Sequence, residues 1–198
     1  MSHYFSKQPT SHHDLREITY CFQDREFTFV TDSNVFSKER IDLGSRTLLE
    51  ALILPADANK ILELGCGYGP LGIMLAAQNP GREVWMVDIN ERAVQLAKMN
   101  AERNGISNVH ILLSDIFDAI PQEQFDLIFT NPPIRAGKEV VYQMFTEAAQ
   151  HLTSRGELWY VIQKKQGSPS AERKVAELFP HVDEVTKEKG YRVYRAYY

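Results

Sequence analysis

Apolar and polar positions change rhythm twice along the chain. Between Arg16 and Val30, two runs rich in aromatic and β-branched residues, Glu17-Ile18-Thr19-Tyr20-Cys21-Phe22 and Glu26-Phe27-Thr28-Phe29-Val30, flank Gln23-Asp24-Arg25. This predicts a β-hairpin. The segment before it, to about residue 15, is polar and rich in His, Ser and Pro, and reads as a loose arm. Asp42 stands where a helix N-cap is expected, ahead of Leu43, Leu48, Leu49 and Leu52, and Pro55 stops that helix. From residue 60 onward, short apolar runs alternate with helical stretches. Strands are expected at 60–64, 83–87, 109–113, 125–130 and 157–163, and helices at about 71–78, 90–104, 138–152 and 170–179. Two β-rich runs, 182–185 and 191–196, lie on either side of Lys189-Gly190 and read as an antiparallel hairpin at the sheet edge. Alternation of strand and helix from 60 to 180 predicts an α/β fold with a parallel, doubly wound sheet. The length favours one domain over residues 1–198, with 1–55 as a hairpin and helix extension and 56–198 as the core.

Composition narrows the classes. Hydrophobic residues make up 43% and charged residues 24%, enough apolar material for an α/β core in a water-soluble chain. No apolar run nears the roughly 18 residues of a membrane span. Met1-Ser2-His3-Tyr4-Phe5-Ser6-Lys7 has no apolar signal-peptide core. Cys21 and Cys66 form neither a disulfide framework nor a metal-like pattern, so a cytoplasmic location is expected. The six histidines, His12 and His13 among them, show no zinc spacing, and no metal is expected. A net charge of −4 disfavours non-specific nucleic-acid binding and leaves room for a local basic rim.

Candidate chemistry starts at Glu63-Leu64-Gly65-Cys66-Gly67-Tyr68-Gly69, a glycine cluster between a strand and a helix. Glycines there let the backbone turn sharply and approach a ligand, although such turns also serve packing alone. Asp88 ends the next strand nineteen residues past Gly69, a position suited to accepting hydrogen bonds from ribose hydroxyls, or to capping the helix that begins near Asn90. These two features fit NAD and S-adenosylmethionine (SAM) alike. The third glycine, however, comes one residue earlier than in the dinucleotide pattern, and two further loops follow strands, Ser114-Asp115-Ile116-Phe117 and Asn131-Pro132-Pro133. Hydride transfer has no use for Asn-Pro-Pro, whereas methylation of a conjugated amine does. Such an amine has a delocalised lone pair. Two acceptors on its N–H bonds, the Asn131 side-chain oxygen and the Pro132 backbone carbonyl, would turn the lone pair toward a methyl group. Proline stiffens the loop, and a residue before proline is confined to extended backbone.

On these residues, together with Val35-Phe36-Ser37, Ile41-Asp42-Leu43-Gly44-Ser45 and Ile134-Arg135-Ala136-Gly137, the chain resembles the class I SAM-dependent methyltransferases over roughly residues 30–198. Within them it is similar to the small-domain relatives of the ribosomal small-subunit (16S rRNA) guanine-N2 methyltransferases. The resemblance implies a Rossmann-like, seven-stranded sheet with its last strand antiparallel, and SAM as cofactor. It implies a cofactor site of Glu63, Gly65, Cys66, Gly67, Gly69, Asp88, Ile89, Asp115, Ile116 and Asn131, with Asp88 on the ribose and Asp115 near the adenine amino group. Asn131, Pro132 and Pro133 become the catalytic loop, and RNA, as rRNA or a ribosomal particle, the partner. One departure stands out: many relatives carry Tyr or Phe after the two prolines, where this chain has Ile134. Ile134 can still pack against the face of a substrate base, but stacking would then fall to Phe36 or Tyr68, both also candidates for plain packing. Arg135, Lys138, Lys164 and Lys165 are placed by the topology at the catalytic edge, where they would meet phosphates or simply lie in solvated loops. The same Asn-Pro-Pro logic serves methylation of a protein glutamine amide or an adenine amine, and a SAM-binding module without catalysis is a third reading.

Overall fold

The computed structural model describes residues 14–33, 35 and 37–198. The expected loose arm, with His12 and His13, lies outside the described residues apart from Asp14 and Leu15. Among the described residues, nine strands and five helices follow in the order β1 (Arg16–Phe22), β2 (Arg25–Thr31), α1 (Leu43–Ala51), β3 (Lys60–Leu64), α2 (Pro70–Gln78), β4 (Glu83–Asp88), α3 (Glu91–Arg103), β5 (Val109–Leu113), β6 (Phe125–Thr130), α4 (Lys138–His151), β7 (Leu152–Gln163), α5 (Ser168–Ala176), β8 (His181–Glu188) and β9 (Tyr191–Tyr197). Short 3-10 turns at Ile134–Ala136 and Lys164–Gln166 follow β6 and β7.

Seven strands form one sheet in the order β5-β4-β3-β6-β7-β9-β8. β3 to β7 pair in parallel, while β9 runs antiparallel to both β7 and β8. The strand period of two separates the core into two layers. Ile61, Met86, Leu127, Phe129, Trp159 and Val161 bury one face under α1, α2, α3 and the hairpin. Leu62, Leu64, Val87, Ile128, Leu158 and Tyr160 bury the other against α4 and α5. Strand order reverses at β3, which has β4 on one side and β6 on the other. Loops leaving the carboxyl ends of β3 and β6 therefore open a crevice, the position at which doubly wound sheets bind ligands. The Thr130 hydroxyl donates to the Leu64 carbonyl at 2.8 Å and ties the two strand ends together.

The hairpin of β1 and β2 is a separate two-stranded sheet. Its turn is Gln23-Asp24 alone, both at positive φ (44° and 62°), because Phe22 already pairs with Arg25. A two-residue turn of this kind matches the twist of the strands it joins. The hairpin is held to the core by side-chain amides on α3 that imitate a neighbouring strand. Asn100 accepts from the Val30 N–H at 2.7 Å and donates to the carbonyls of Val30 and Tyr68, both at 2.9 Å. One turn on, Asn104 accepts from the Thr28 N–H at 3.1 Å and donates to the Thr28 carbonyl at 2.9 Å. Asn100 is fully buried, so its loss leaves three backbone groups without partners. Asn100→Ala is expected to cost about 2 kcal/mol of stability. Urea unfolding checks this, and a change of only a few tenths would remove Asn100 as the anchor.

Three elements differ from the sequence expectation. β7 starts at Leu152, because Leu152 already pairs with Phe125 before the register shifts and Glu157 pairs with Leu127. The polar insertion Thr153-Ser154-Arg155-Gly156 within that shift is what reads as a loop in the sequence. α5 occupies Ser168–Ala176, earlier than expected, since the left-handed Gly167 and Pro169 in the first turn start it sooner. β8 extends to Glu188 because an edge strand keeps one side in water and tolerates charge.

Candidate active site

The glycine turn is shaped by positive φ at Gly65 (75°), Gly67 (57°) and Gly69 (90°). A side chain added at Gly65 or Gly67 would meet nothing within 4 Å, so at both positions the backbone faces open space that a ligand can occupy. Gly69 does not line the cavity; its missing Cβ makes room for Ile73, Ala97 and Met86. Gly72, inside α2, allows the closest approach: a Cβ there would lie 2.6 Å from Glu63 Oε2 and 2.7 Å from Met86 Sδ. The sequence reading passed over it, because a glycine inside a helix carries no local sign of strand contact.

Asp88 closes this turn from the end of β4. Its carboxylate accepts from the Gly67 N–H and the Asn90 N–H, each at 2.8 Å. Asp88 does not cap α3, the other role its position suggested: Asn90 is the cap, accepting from the N–H groups of Arg92 (3.0 Å) and Ala93 (3.3 Å). Burial pushes the Asp88 carboxyl above the ordinary aspartate range, against the backbone N–H groups of Asn90, Gly67 and Ile89 that draw it down. Glu63 sits deeper, 4% exposed, and accepts from the Gly72 N–H at 2.8 Å. Burial, with the nearby Asp88 charge adding to it, pushes Glu63 up to about 8. Burial likewise raises the Cys66 thiol, with the Asp88 and Glu63 charges adding to it.

These groups line a cavity of about 460 Å³. Glu63, Gly65, Cys66, Gly67, Asp88 and Ile89 form one wall, Asp115 and Ile116 another, and Asn131, Pro132 and Pro133 the far rim. Its size and mixed polar and apolar lining fit a nucleoside-sized ligand. The open glycine backbone and a carboxylate fixed at a strand end fit the sugar and chain of SAM. Among the described residues no group of three His, Cys, Asp or Glu side chains is placed to hold a metal ion. Among them, too, no helix is long and apolar enough to cross a membrane.

At the rim, the Asn131 side-chain nitrogen donates to Ser45 Oγ at 2.9 Å and to Asp42 Oδ2 at 3.1 Å. With both amide hydrogens taken, the Asn131 side-chain oxygen is left to accept from an incoming group. Asp42 does cap α1 as expected, through the Ser45 N–H at 3.2 Å, and its contact with Asn131 was not legible from sequence. Asp42, Ser45 and, from α4, Gln143 and Met144 also line the cavity and were missed as site residues. For Asp42 and Ser45 the only signal was their place in the Ile41–Ser45 stretch that carries the family resemblance.

The expected substrate-side residues are distributed less compactly. Ala136 lines the cavity, whereas Ile134 does not; it packs toward the core on the α4 side and lines a small cleft of about 20 Å³ with Lys138 and Tyr142. Arg135, Lys138, Lys164 and Lys165 are exposed, and none lines the main cavity. Lys164 and Lys165 lie in the 3-10 turn after β7, at the carboxyl edge of the sheet. Tyr68 is buried in the cavity wall with its hydroxyl on the Ser37 carbonyl at 3.4 Å, a packing role. Phe36 lies outside the described residues.

Residues 26–195 match the family model described as methyltransferase small domain. Protein YbxB of Bacillus subtilis is 48% identical over 195 residues, which covers 98% of this chain and 97% of that protein. Ribosomal RNA small subunit methyltransferase C of Aeromonas hydrophila is 38% identical over 142 residues, covering 70% of this chain and 40% of that one. Among solved structures, the T. thermophilus 16S rRNA N2 G1207 methyltransferase in complex with AdoMet and guanosine superposes with a TM-score of 0.81 at 28% identity, covering 96% of this chain and 52% of that one. The chain thus spans about half, or less, of the length of these two rRNA methyltransferases.

Proposed function

Since the chain belongs to the methyltransferase small domain family and is a SAM-dependent methyltransferase similar to rRNA methyltransferases, we propose that it methylates the exocyclic N2 of a guanine in ribosomal RNA, acting as one domain. The observation that carries this reading is the Asn131 amide, held by Asp42 and Ser45 so that its oxygen is available to an amine. When bound, SAM supplies an electrophilic methyl group on a sulfonium. Gly65 and Gly67 would admit it closely, Asp88 would hold its ribose hydroxyls, and Asp115 its adenine amino group.

The Asn131 oxygen and the Pro132 carbonyl accept the two N–H bonds of the guanine amine and turn its lone pair out of conjugation. As nitrogen gains positive charge, its N–H bonds become more acidic and both hydrogen bonds strengthen. The stabilisation is therefore greater in the transition state than in the ground state. Solvent then takes the surplus proton. Arg135, Lys138, Lys164 and Lys165 form the basic rim for flanking phosphates of an otherwise acidic chain.

Asp88→Ala is expected to weaken SAM binding by roughly 1.5–3 kcal/mol, the value of lost hydrogen bonds to a charged acceptor. Calorimetric titration of the folded variant measures it; unchanged affinity would move the ribose site elsewhere. The acceptor is tested by mapping methylated nucleosides in rRNA from cells with and without the protein. N2-methylguanosine that disappears with the protein supports the proposal. Loss of a methylated adenine amine or glutamine amide instead would replace it.

A further inference from the structure

We propose that Asp42 is a positioning residue for methyl transfer: its carboxylate selects the one orientation of the Asn131 amide in which the oxygen faces the acceptor amine. This rests on Asn131 being the group that receives an amine N–H. A primary amide is nearly symmetric in shape, and the flipped form would present its NH2 to the substrate NH2, donor against donor. Ser45 cannot prevent that, because a hydroxyl both donates and accepts and can serve either orientation. Asp42 can, because an ionised carboxylate only accepts, and a flipped Asn131 would set oxygen against oxygen at the present 3.1 Å separation.

Asp42 is itself held from two sides. As the cap of α1 it accepts from the Ser45 N–H at 3.2 Å, and the Tyr191 hydroxyl on β9 approaches its other oxygen at 3.5 Å. Gly44 lets that helix start sit against Tyr191: a Cβ there would lie 2.7 Å from the Tyr191 ring. Segments at 42–45, 131 and 191 therefore converge on one carboxylate. A negative charge behind the Asn131 NH2 also pushes electron density toward its oxygen and makes that oxygen a better acceptor as the amine becomes cationic.

The test separates the cap from the clamp. Serine is as good an N-cap as aspartate, so Asp42→Ser should unfold at nearly the wild-type temperature. It should bind SAM within twofold of wild type and transfer methyl groups about tenfold more slowly, with the loss in kcat and not in KM. Asp42→Asn, whose own amide oxygen can accept from Asn131, should recover part of the rate. The rates are measured with labelled SAM and rRNA from cells lacking the protein. In an Asn131→Ala background the Asp42→Ser change should have less than a twofold effect, since Asp42 acts through Asn131. A full wild-type rate in Asp42→Ser, or the same fold-loss in both backgrounds, overturns the proposal.

A second measurement does not depend on the acceptor. The Asn131 side-chain NH2 resonances, identified by their loss in Asn131→Ala, should exchange slowly with water in the wild type and quickly in Asp42→Ser. Fast exchange in the wild type overturns the clamp. If the wild type labels no rRNA, the guanine reading fails, and the exchange data still decide the clamp.

Discussion

Replacing Asn131 by alanine is expected to slow methyl transfer by about a hundredfold or more while SAM affinity stays within a few-fold. Asn131 lines the same cavity as the glycine turn and Asp88, but leaves from the end of the neighbouring strand β6. The interaction removed is one that strengthens as the acceptor nitrogen becomes cationic, so the loss should fall on kcat. The fold should survive, because Asn131 is only partly buried and the partners it leaves, Asp42 and Ser45, keep their own helix-cap bond. Initial rates on rRNA, beside calorimetric titration with SAM, make the comparison. Near-normal turnover would dismiss the Asn-Pro-Pro mechanism, and a parallel collapse of SAM binding would make Asn131 a cofactor residue instead.

The second large effect concerns Glu63 and pH. In the folded chain its carboxyl holds a proton up to about pH 8, against an ordinary value near 4.5. Between those values the folded state binds more protons than the unfolded state, so this residue's contribution to stability falls as pH rises. It is fully present below about pH 4.5 and lost by the time pH passes 8. Glu63→Gln keeps an oxygen for the Gly72 N–H and cannot ionise. In the absence of SAM, the variant should match the wild type near pH 5 and exceed it at pH 9 by on the order of 4 kcal/mol. Urea unfolding across that range gives the difference directly. A gap that stays constant with pH would mean that Glu63 is already ionised in the fold.

Strands β3, β5 and β6 match the sequence expectation residue for residue, because a buried parallel strand is a short apolar run with turn chemistry at its end. The alternation of these runs with helices suffices for the doubly wound sheet. It also suffices to place the glycine turn, Asp88, Asp115 and Asn131 along one edge, since every strand of a parallel sheet sends its carboxyl end the same way. β7 and β8 run longer than the sequence predicts, as pairing at a register shift or a sheet edge accepts polar residues that resemble loop.

What the chain's linear order determines, then, is the fold class, the direction of each strand and the side of the sheet on which chemistry sits. Tertiary structure alone decided the contacts that join distant segments. Asp42 is a complete local statement as a helix cap, and nothing near it in sequence announces Asn131, 89 positions away. Gly72 looks like a weak helix residue until Glu63 and Met86 arrive against it. Asn100 and Asn104 read as ordinary polar positions on α3, and become the partners of β2 only once the hairpin is folded onto them. Periodicity encodes which face of an element is buried; it does not encode which hydrogen-bonding group will stand opposite, because that depends on how separately formed elements pack.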